Sequence, residues 1–347
     1  MTLPAGVGAA LLAAVLFGAS TPAAKLLLGE TPPMLLAGLL YLGSGTGLSL
    51  FRWLRSGQTA EARLARPDLP WLAAAVFFGG VVGPVLLMFG LRVTPGATAS
   101  LLLNLEGVFT AVLAWFVFHE NFDRRVALGM FLIVAGGVLL SWQGGQGGAS
   151  LAGCLAVAGA CLCWALDNNF TQKVSGGDPL QVAAVKGAVA GSVNVALALA
   201  LGASLPSIRI VAASLLVGLI GYGVSLVLFV LALRHIGTAR TGAYFSVAPF
   251  VGAGLALPLL REPVGAPFLA AGTLMGLGVW LHVTERHEHE HTHEPLAHAH
   301  RHVHDEHHRH AHEPGVDPRE PHTHWHVHGT LTHTHPHFPD IHHRHRH

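Results

Sequence analysis

Seven of the polar side chains inside long apolar stretches of the chain could bind a substrate or a coupling ion. They are Glu106, Asn104, Asp167, Asn168, Asn169, Lys186 and Tyr244. A polar or ionisable group in an apolar environment is costly, and such groups within membrane spans commonly mark transport pathways. We therefore take these residues as candidate substrate or coupling sites, and we predict no catalytic residue.

Glu106 is the most informative of these residues because it lies near the middle of its apolar stretch, two positions after Asn104. A carboxyl group at that depth could take up a proton or bind a cation during transport. Alternatively, burial could keep it neutral, with a hydrogen bond to a neighbouring helix. The sequence leaves both interpretations open.

Asp167 and Lys186 lie at similar depths in consecutive apolar stretches. An ion pair between them would reduce the cost of removing both charges from water. This pair could be structural, or it could act as a gate or contact a ligand. Asn168 and Asn169 could donate to a polar substrate, and they could equally bond to a neighbouring helix.

The chain ends in a histidine-rich tail, residues 285–347, which contains 23 of the 26 histidines. Its low apolar content predicts disorder. Imidazole is a good ligand for zinc, nickel and cobalt, so the tail is a candidate site for these metals. The candidate ligands are His287, His289, His291, His293, His298, His300, His302, His304, His307, His308, His310 and His312.

A second hypothesis for the tail is pH sensing. Histidine side chains gain charge below a pH of about 6.5. Acidification would make the tail strongly positive, and it could then bind anionic lipid at the inner membrane surface.

The rest of the chain must position the polar residues within a membrane. Only 11% of its 347 residues are charged, whereas a soluble domain carries about 25%. A spanning helix needs about 20 apolar residues. Apolar stretches of this kind occur at 5–28, 33–51, 69–91, 95–118, 126–143, 151–173, 180–201, 210–233, 238–260 and 264–284. We predict an all-α polytopic membrane protein with ten transmembrane helices.

The second five stretches repeat the pattern of the first five. Residues 90–142 align with 232–284 at a constant offset of 142, so that Arg92 matches Arg234 and Glu120 matches Glu262. Because five is odd, the second unit would cross the bilayer in the opposite sense, as in transporters built from inverted repeats. We predict one repeat over residues 1–145, a second over 146–284, and the tail as a separate segment.

Positive charges between the spans predict the orientation. If the amino terminus is cytoplasmic, nine Lys or Arg residues lie at the inner side and four at the outer side, as the positive-inside rule requires. We therefore expect both termini in the cytoplasm and the protein in the inner cell membrane, as a monomer or homodimer.

Short motifs in both halves resemble the EamA-type domain of the drug/metabolite transporter superfamily. They are Phe-Gly-Ala-Ser-Thr-Pro-Ala-Ala-Lys at 17–25, Trp-Ala-Leu-Asp-Asn-Asn at 164–169, His-Glu-Asn at 119–121 and Arg-Glu-Pro at 261–263. The resemblance covers about residues 5–284. It implies ten helices, cytoplasmic termini and carriage of a small metabolite.

These observations predict a secondary transporter that exports a small metabolite or drug by alternating access. The alternative is a divalent metal transporter whose tail collects or senses nickel, cobalt or zinc. An enzyme is not expected, because the sequence has no P-loop, nucleophile elbow or HExxH motif. We expect the lipid bilayer and a small molecule as partners, without nucleic acid or a bound cofactor.

Overall fold

The chain is described by a computed structural model. The described residues are 5–54, 64, 66–118, 124–142, 150–174, 177–284, 288–293, 296–302, 322–328 and 331–336.

Thirteen α-helices make up the apolar part of the described chain. They are α1 (Ala5–Leu27), α2 (Pro33–Leu54), α3 (Leu69–Ala75), α4 (Gly83–Val93), α5 (Gly96–Leu102), α6 (Leu105–Phe118), α7 (Arg124–Trp142), α8 (Leu151–Val174), α9 (Pro179–Ala200), α10 (Ile208–Val217), α11 (Ser225–Phe245), α12 (Ala248–Leu260) and α13 (Ala266–Val283). A short 3₁₀ turn, Arg66–Asp68, precedes α3.

Seven helical segments of the described chain are long and apolar enough to cross a membrane. They are Gly6–Leu27, Pro33–Leu54, Arg66–Val93, Leu151–Thr171, Pro179–Ala200, Ile208–Ile236 and Thr241–Leu260. Shorter apolar helices cover Ala127–Ser141 and Ala266–Leu281. The architecture is that of a polytopic helical membrane protein.

Two predicted spans differ from the helices observed. The span predicted over 95–118 is divided into α5 and α6 by a turn at Leu103 and Asn104. The helix boundary predicted between 233 and 238 is wrong, because α11 continues to Phe245 and the chain turns at 246–247. Pro249 follows that turn in the first positions of α12, where its missing N–H costs no helical hydrogen bond.

Wider π-helical turns interrupt two of the long helices. The first π segment, Val76–Val82, joins α3 to α4, and the second, Gly218–Val224, joins α10 to α11. The two segments are separated by 142 residues, the same offset that relates the two halves of the sequence. Because π turns are often found at functional sites, these segments direct attention to the residues beside them.

Helices from the two halves of the chain pack against each other. α1 contacts α11 and α12, α2 contacts α9, α4 contacts α8, and α7 contacts α13. Glycines allow the close approach of α2 and α9: a Cβ atom on Gly45 would lie 2.1 Å from the backbone nitrogen of Ala188. Small residues at such crossings are a common means of helix association in membranes.

Four β-strands lie in the histidine-rich tail, in ranges that we expected to be disordered. They are β1 (Glu288–His293), β2 (Leu296–His302), β3 (His322–His328) and β4 (Leu331–Pro336). Antiparallel pairs form between β1 and β4 and between β2 and β3. The repeated His-x-His pattern has the two-residue period of a strand, which is the local signal for this structure.

Candidate functional site

A cavity of about 70 Å³ lies among the helices of both halves. It combines acidic, basic and amide side chains with several aromatic rings. Its lining residues are Phe17, Tyr41, Glu106, Trp164, Asp167, Asn168, Lys186, Gly221, Tyr222, Ser225, Leu226, Phe229 and Phe245. An apolar lining with a few converging polar groups is the usual chemistry of a small-molecule site, although such sites are ordinarily larger, at about 300–1,000 Å³.

The ion pair that the sequence predicted between Asp167 and Lys186 is present at this cavity. Lys186 Nζ lies 2.6 Å from Asp167 Oδ1 and 2.8 Å from Oδ2, and its side chain is almost fully buried. It also donates to Thr171 Oγ1 at 3.1 Å, while that hydroxyl donates to Asp167 Oδ1 at 2.9 Å. Each charge therefore has an opposite charge and further hydrogen bonds, which buried pairs require.

Glu106 has a different environment. Asn168 Nδ2 donates to Glu106 Oε1 at 2.7 Å, so the asparagine bonds across helices as one sequence interpretation expected. Among the described residues, Glu106 forms no ion pair within 4.0 Å. The residue as a whole is half-buried, and it lines the cavity from α6, which packs against α8, the helix that carries Asp167. The cavity thus contains one acid neutralised by a lysine and a second acid held by an amide.

The backbone of the first π segment holds two side chains of the cavity lining, Tyr41 and Trp164, in place. Gly79 O accepts hydrogen bonds from Tyr41 OH at 2.7 Å and Trp164 Nε1 at 3.0 Å, and Gly80 O accepts one from Asn194 Nδ2 at 3.0 Å. These bonds tie three helices to the π segment and satisfy its carbonyl groups, as a buried backbone requires.

Glycine is needed at position 79 because Asp167 approaches its backbone closely. A Cβ atom at Gly79 would lie only 1.9 Å from Asp167 Oδ2. The missing side chain therefore leaves the room that the Asp167 carboxylate occupies.

Aromatic rings form the walls of the cavity. The ring of Phe17 lies 5.6 Å from that of Trp164, 5.7 Å from that of Tyr222 and 5.5 Å from that of Phe245, between ring centroids. The Trp164 and Tyr222 rings are steeply inclined to Phe17, which is a favourable arrangement for aromatic pairs. Such walls fit an apolar or cationic group, because aromatic faces attract cations.

Three of the predicted site residues lie outside the cavity lining. Asn104 is buried at the turn between α5 and α6, where its amide donates to Leu101 O at 2.9 Å. Asn169 donates to Ala165 O of its own helix at 2.8 Å. Tyr244 is half-buried near the end of α11 and does not line the cavity. The structure brings together the other four: Glu106, Asp167, Asn168 and Lys186.

Several residues at or beside the cavity were not among the predicted site residues. Thr171, which bonds to the Asp167–Lys186 pair without lining the cavity, had a usable signal, because it lies four residues after Asp167 and therefore on the same helix face. The aromatic residues Phe229 and Phe245 had none, since a phenylalanine within an apolar span is ordinarily a packing residue.

Two further charged side chains stabilise helix ends across the fold. The two carboxylate oxygens of Glu262 accept from the backbone N–H groups of Gly96, at 2.5 Å, and Ala97, at 2.8 Å, at the start of α5. Lys25 Nζ donates to the carbonyl oxygens of Leu91 and Thr94 at the end of α4. Negative charge at a helix start and positive charge at a helix end both complement the helix dipole.

Among the residues whose side chains the structure describes, no group of three or more His, Cys, Asp or Glu is placed to hold a metal ion. Of the predicted metal ligands, six lie in strands β1 and β2. The others, His287, His304, His307, His308, His310 and His312, lie outside the described residues.

Comparison with known proteins gives a family match over both halves of the chain. The EamA-like transporter family matches residues 4–142 and again residues 151–284. A solved crystal structure superposes with a TM-score of 0.61 at 18% identity, covering 79% of this chain and 95% of the other. That likeness supports the fold.

Sequence relatives include transporters and a flippase subunit. An uncharacterized transporter of Methanothermobacter thermautotrophicus is 29% identical over 287 residues, which is 78% of this chain and 83% of that protein. A probable amino-acid metabolite efflux pump of Salmonella typhimurium is 30% identical over 174 residues, 48% of this chain and 52% of that protein. A probable 4-amino-4-deoxy-L-arabinose-phosphoundecaprenol flippase subunit of Pseudomonas paraeruginosa is 35% identical over 113 residues, 32% of this chain and 96% of that protein.

Proposed function

Because the chain belongs to the EamA-like transporter family, we propose that it is a secondary transporter that exports a small organic metabolite or drug by alternating access. The observation that supports this most directly is the cavity, which is lined by residues of both family-matched regions: Phe17, Tyr41 and Glu106 from the first, and the remaining lining residues from the second. A site between two repeats is the arrangement on which alternating access depends.

We assign Glu106 the coupling role in this mechanism. A carboxylate without a cationic partner is costly at membrane depth, so Glu106 either carries a proton or binds a cationic group. Asn168, at 2.7 Å, can orient the carboxyl group in both states because its amide donates to the oxygen that it contacts. Exchange of a proton for the substrate at this group would couple export to proton entry.

The aromatic lining of the cavity, together with the carboxyl group of Glu106, indicates the class of substrate. Phe17, Trp164 and Tyr222 surround the cavity with aromatic faces, which attract the ammonium group of an amine and also contact its apolar body. A small amine or amino acid with an apolar side chain matches the chemistry of this lining, and the cavity, about 70 Å³ in this conformation, must widen to admit it. The Salmonella typhimurium relative, a probable amino-acid metabolite efflux pump, supports the same chemical class.

The transport cycle requires the topology inferred from the sequence. We propose ten spans arranged as inverted repeats over residues 1–145 and 146–284, with both termini in the cytoplasm of an inner-membrane protein. The recurrence of the π segments at an offset of 142 supports this arrangement, because local irregularities of a duplicated unit are expected at equivalent positions.

Proton-coupled flux in proteoliposomes tests the proposal. The purified full chain is reconstituted with a pH dye inside the vesicles, and phenylalanine, phenethylamine and lysine are supplied in turn as defined probes. We expect an inward or outward gradient of phenylalanine or of phenethylamine, the two probes with an apolar body, to move protons in the opposite direction. Glu106→Gln should abolish this proton movement, since an amide neither takes up nor releases a proton near neutral pH.

A matched variant separates this role from a general effect of removing a carboxyl group. Glu30 is exposed in the loop after α1, so Glu30→Gln should keep wild-type proton movement. Unchanged pH-dependent flux in Glu106→Gln would reject the coupling role. If divalent metal is the only solute that moves, and deletion of the tail lowers its flux, the metal-transport alternative is the better explanation.

The topology is tested separately by labelling single cysteines from each side of the membrane. Cysteines introduced at Gln146 and at the final residue, His347, should react from opposite sides. Reaction of both from the same side would contradict the inverted arrangement.

A further inference from the structure

Histidines of distant parts of the tail occupy opposing register positions in the β2–β3 pair. His298 is opposite His326, His300 is opposite His324, and His302 is opposite His322. Residues directly opposite each other in an antiparallel pair share one face of the sheet, and alternate residues along a strand share that face as well. Six histidines therefore occupy positions on one face of this pair.

The β1–β4 pair repeats the arrangement with four histidines. His289 is opposite His335, and His291 is opposite His333. These four positions again share one face. The intervening positions are occupied by other residue types, among them Glu290 opposite Thr334. The same residue type at opposing, alternate positions of two separate pairs is a pattern that neither strand alone displays.

This spacing suits the coordination of a metal ion by imidazole. Opposing residues of an antiparallel pair have Cβ atoms about 4.5–5.5 Å apart. Alternate residues of one strand are about 7 Å apart. Two neighbouring opposing pairs thus bring four histidine positions together, the number that a tetrahedral ion takes, at metal–nitrogen distances of about 2.0–2.1 Å. Neutral imidazole prefers zinc, nickel, cobalt and copper among the divalent ions.

We propose that the tail binds divalent transition-metal ions between paired strands, with ligands from both strands of each pair. One site lies on β1 and β4, with His289, His291, His333 and His335. The other lies on β2 and β3, with ligands drawn from the six opposing histidines. Metal binding thereby fastens the two ends of the tail to each other. This inference is independent of the transported substrate.

The proposal changes the ligand sets that the sequence alone suggested. Local clusters such as the histidines at 298, 300, 302 and 304 would chelate a metal within one short segment. In the paired strands, the histidines of β2 instead share a site with those of β3, which begins 20 residues after β2 ends. The two ligand sets differ in one measurable respect: only a shared site makes each strand depend on the other.

Equilibrium dialysis of the full-length protein, purified without an affinity tag, measures this dependence with Ni²⁺ and Zn²⁺ as the probes. The β2 variant carries His298→Gln, His300→Gln and His302→Gln. The β3 variant carries His322→Gln, His324→Gln and His326→Gln. A third variant combines all six changes. The matched control removes three histidines of the same tail that do not belong to the four described strands, with His342→Gln, His343→Gln and His345→Gln.

We expect the β2 and β3 variants each to lose the same site, with its dissociation constant raised at least roughly tenfold, since even an outer-shell partner accounts for 10–100-fold in metal affinity. The six-change variant should bind no worse at that site than either single-strand variant. The control should keep the site at wild-type affinity. Additive losses from β2 and β3, or an equal loss in the control, would overturn the proposal in favour of independent local chelation.

Disulfide formation checks the register by a second route. Ala299 and Trp325 are opposite each other, so Ala299→Cys with Trp325→Cys should cross-link, and Ni²⁺ or Zn²⁺ should accelerate the reaction. Ala299→Cys with Thr334→Cys, in different strand pairs, is the control and should not respond to metal. Absence of cross-linking in the Ala299–Trp325 pair, with metal present, would contradict the paired site.

Discussion

The buried ion pair gives a prediction whose magnitude follows from its geometry. Lys186 is 1% exposed and its ammonium group has three oxygen contacts, at 2.6 and 2.8 Å to Asp167 and 3.1 Å to Thr171. Lys186→Met removes the positive charge and leaves the Asp167 carboxylate buried without a cation. Removing one partner of such a pair lowers the free energy of unfolding by about 3–5 kcal/mol. The fraction of molecules in which the fold has opened around the pair then rises by roughly 10²–10⁴-fold.

Replacement of both charges should restore stability. In Asp167→Asn with Lys186→Met, neither member of the pair is charged, and the Thr171 hydroxyl can still donate to the new amide oxygen. Buried ion pairs replaced by uncharged residues of similar volume are often neutral or stabilising. We therefore expect the free energy of unfolding of the double variant to be within about 1 kcal/mol of the wild-type value, or higher than it.

Three native cysteines supply the assay. Cys154, Cys161 and Cys163 are free thiols buried in α8, the helix that also carries Asp167. When reclosing is faster than the reaction, the rate of maleimide labelling is proportional to the opened fraction. The single variant should label roughly 10²–10⁴ times faster than wild type at 25 °C, and the double variant at nearly the wild-type rate.

Arg209→Met serves as the control, because Arg209 is exposed in the first turn of α10 and its loss should change stability by less than about 0.5 kcal/mol. Labelling of Lys186→Met within tenfold of wild type would refute the reasoning, as would a double variant that labels as fast as the single one. Transport by the folded double variant then separates the sequence interpretations of the pair: retained flux indicates a structural pair, and lost flux indicates a gate or a ligand contact.

Three further predictions follow from the site, a helix end and the tail. Gly79→Ala should lower stability by about 1–3 kcal/mol and impair transport, because its methyl group would overlap Asp167 Oδ2. The control, Gly8→Ala, meets open space and should be neutral or stabilising by up to about 1 kcal/mol. Equal effects of the two changes in the same labelling assay would contradict this. Glu262→Gln should cost about 1 kcal/mol, since a neutral acceptor caps the start of α5 less well than a carboxylate, and an unchanged melting temperature would argue against the cap. Ni²⁺ bound to the tail at pH 7.5 should be released on acidification to pH 5.5, because metal ligation needs neutral imidazole, whose ordinary pKa is about 6.5. Dialysis at the two pH values checks this, and equal affinity at both would exclude histidine ligands.

The positions of two neighbouring polar residues, Glu106 and Asn104, show how much of the site could be predicted from the sequence. Glu106 was identified as a site residue because a carboxyl group in a long apolar run is conspicuous, and the structure places it at the cavity. Asn104, only two residues earlier, was selected for the same reason but lies instead at the turn between α5 and α6. Composition marks both residues equally, whereas the break in the helix separates their environments.

The histidine tail shows the same limit in a different form. Its His-x-His pattern was recognised, but it was interpreted as local clusters within a segment without regular structure. Strand pairing brings His298 opposite His326, a relation that depends on which strands meet. Register arises from contacts between segments, so a pattern within one segment does not contain it.

By itself, the sequence determined that this protein is a helical membrane protein with two similar halves, because span length and apolar composition respond directly to the bilayer. It also marked the acids and the lysine that hydrocarbon makes costly. The sequence also predicted the pair of Asp167 with Lys186, whose charged atoms lie 2.6 Å apart. Only the tertiary structure decided the partner of the other acid: Asn168 lies 2.7 Å from Glu106, a residue 62 positions earlier in the chain. The physical reason is that the cost of a buried charge depends on its nearest partners, and helix crossings, some as close as that of Gly45 with α9, determine which side chains become partners.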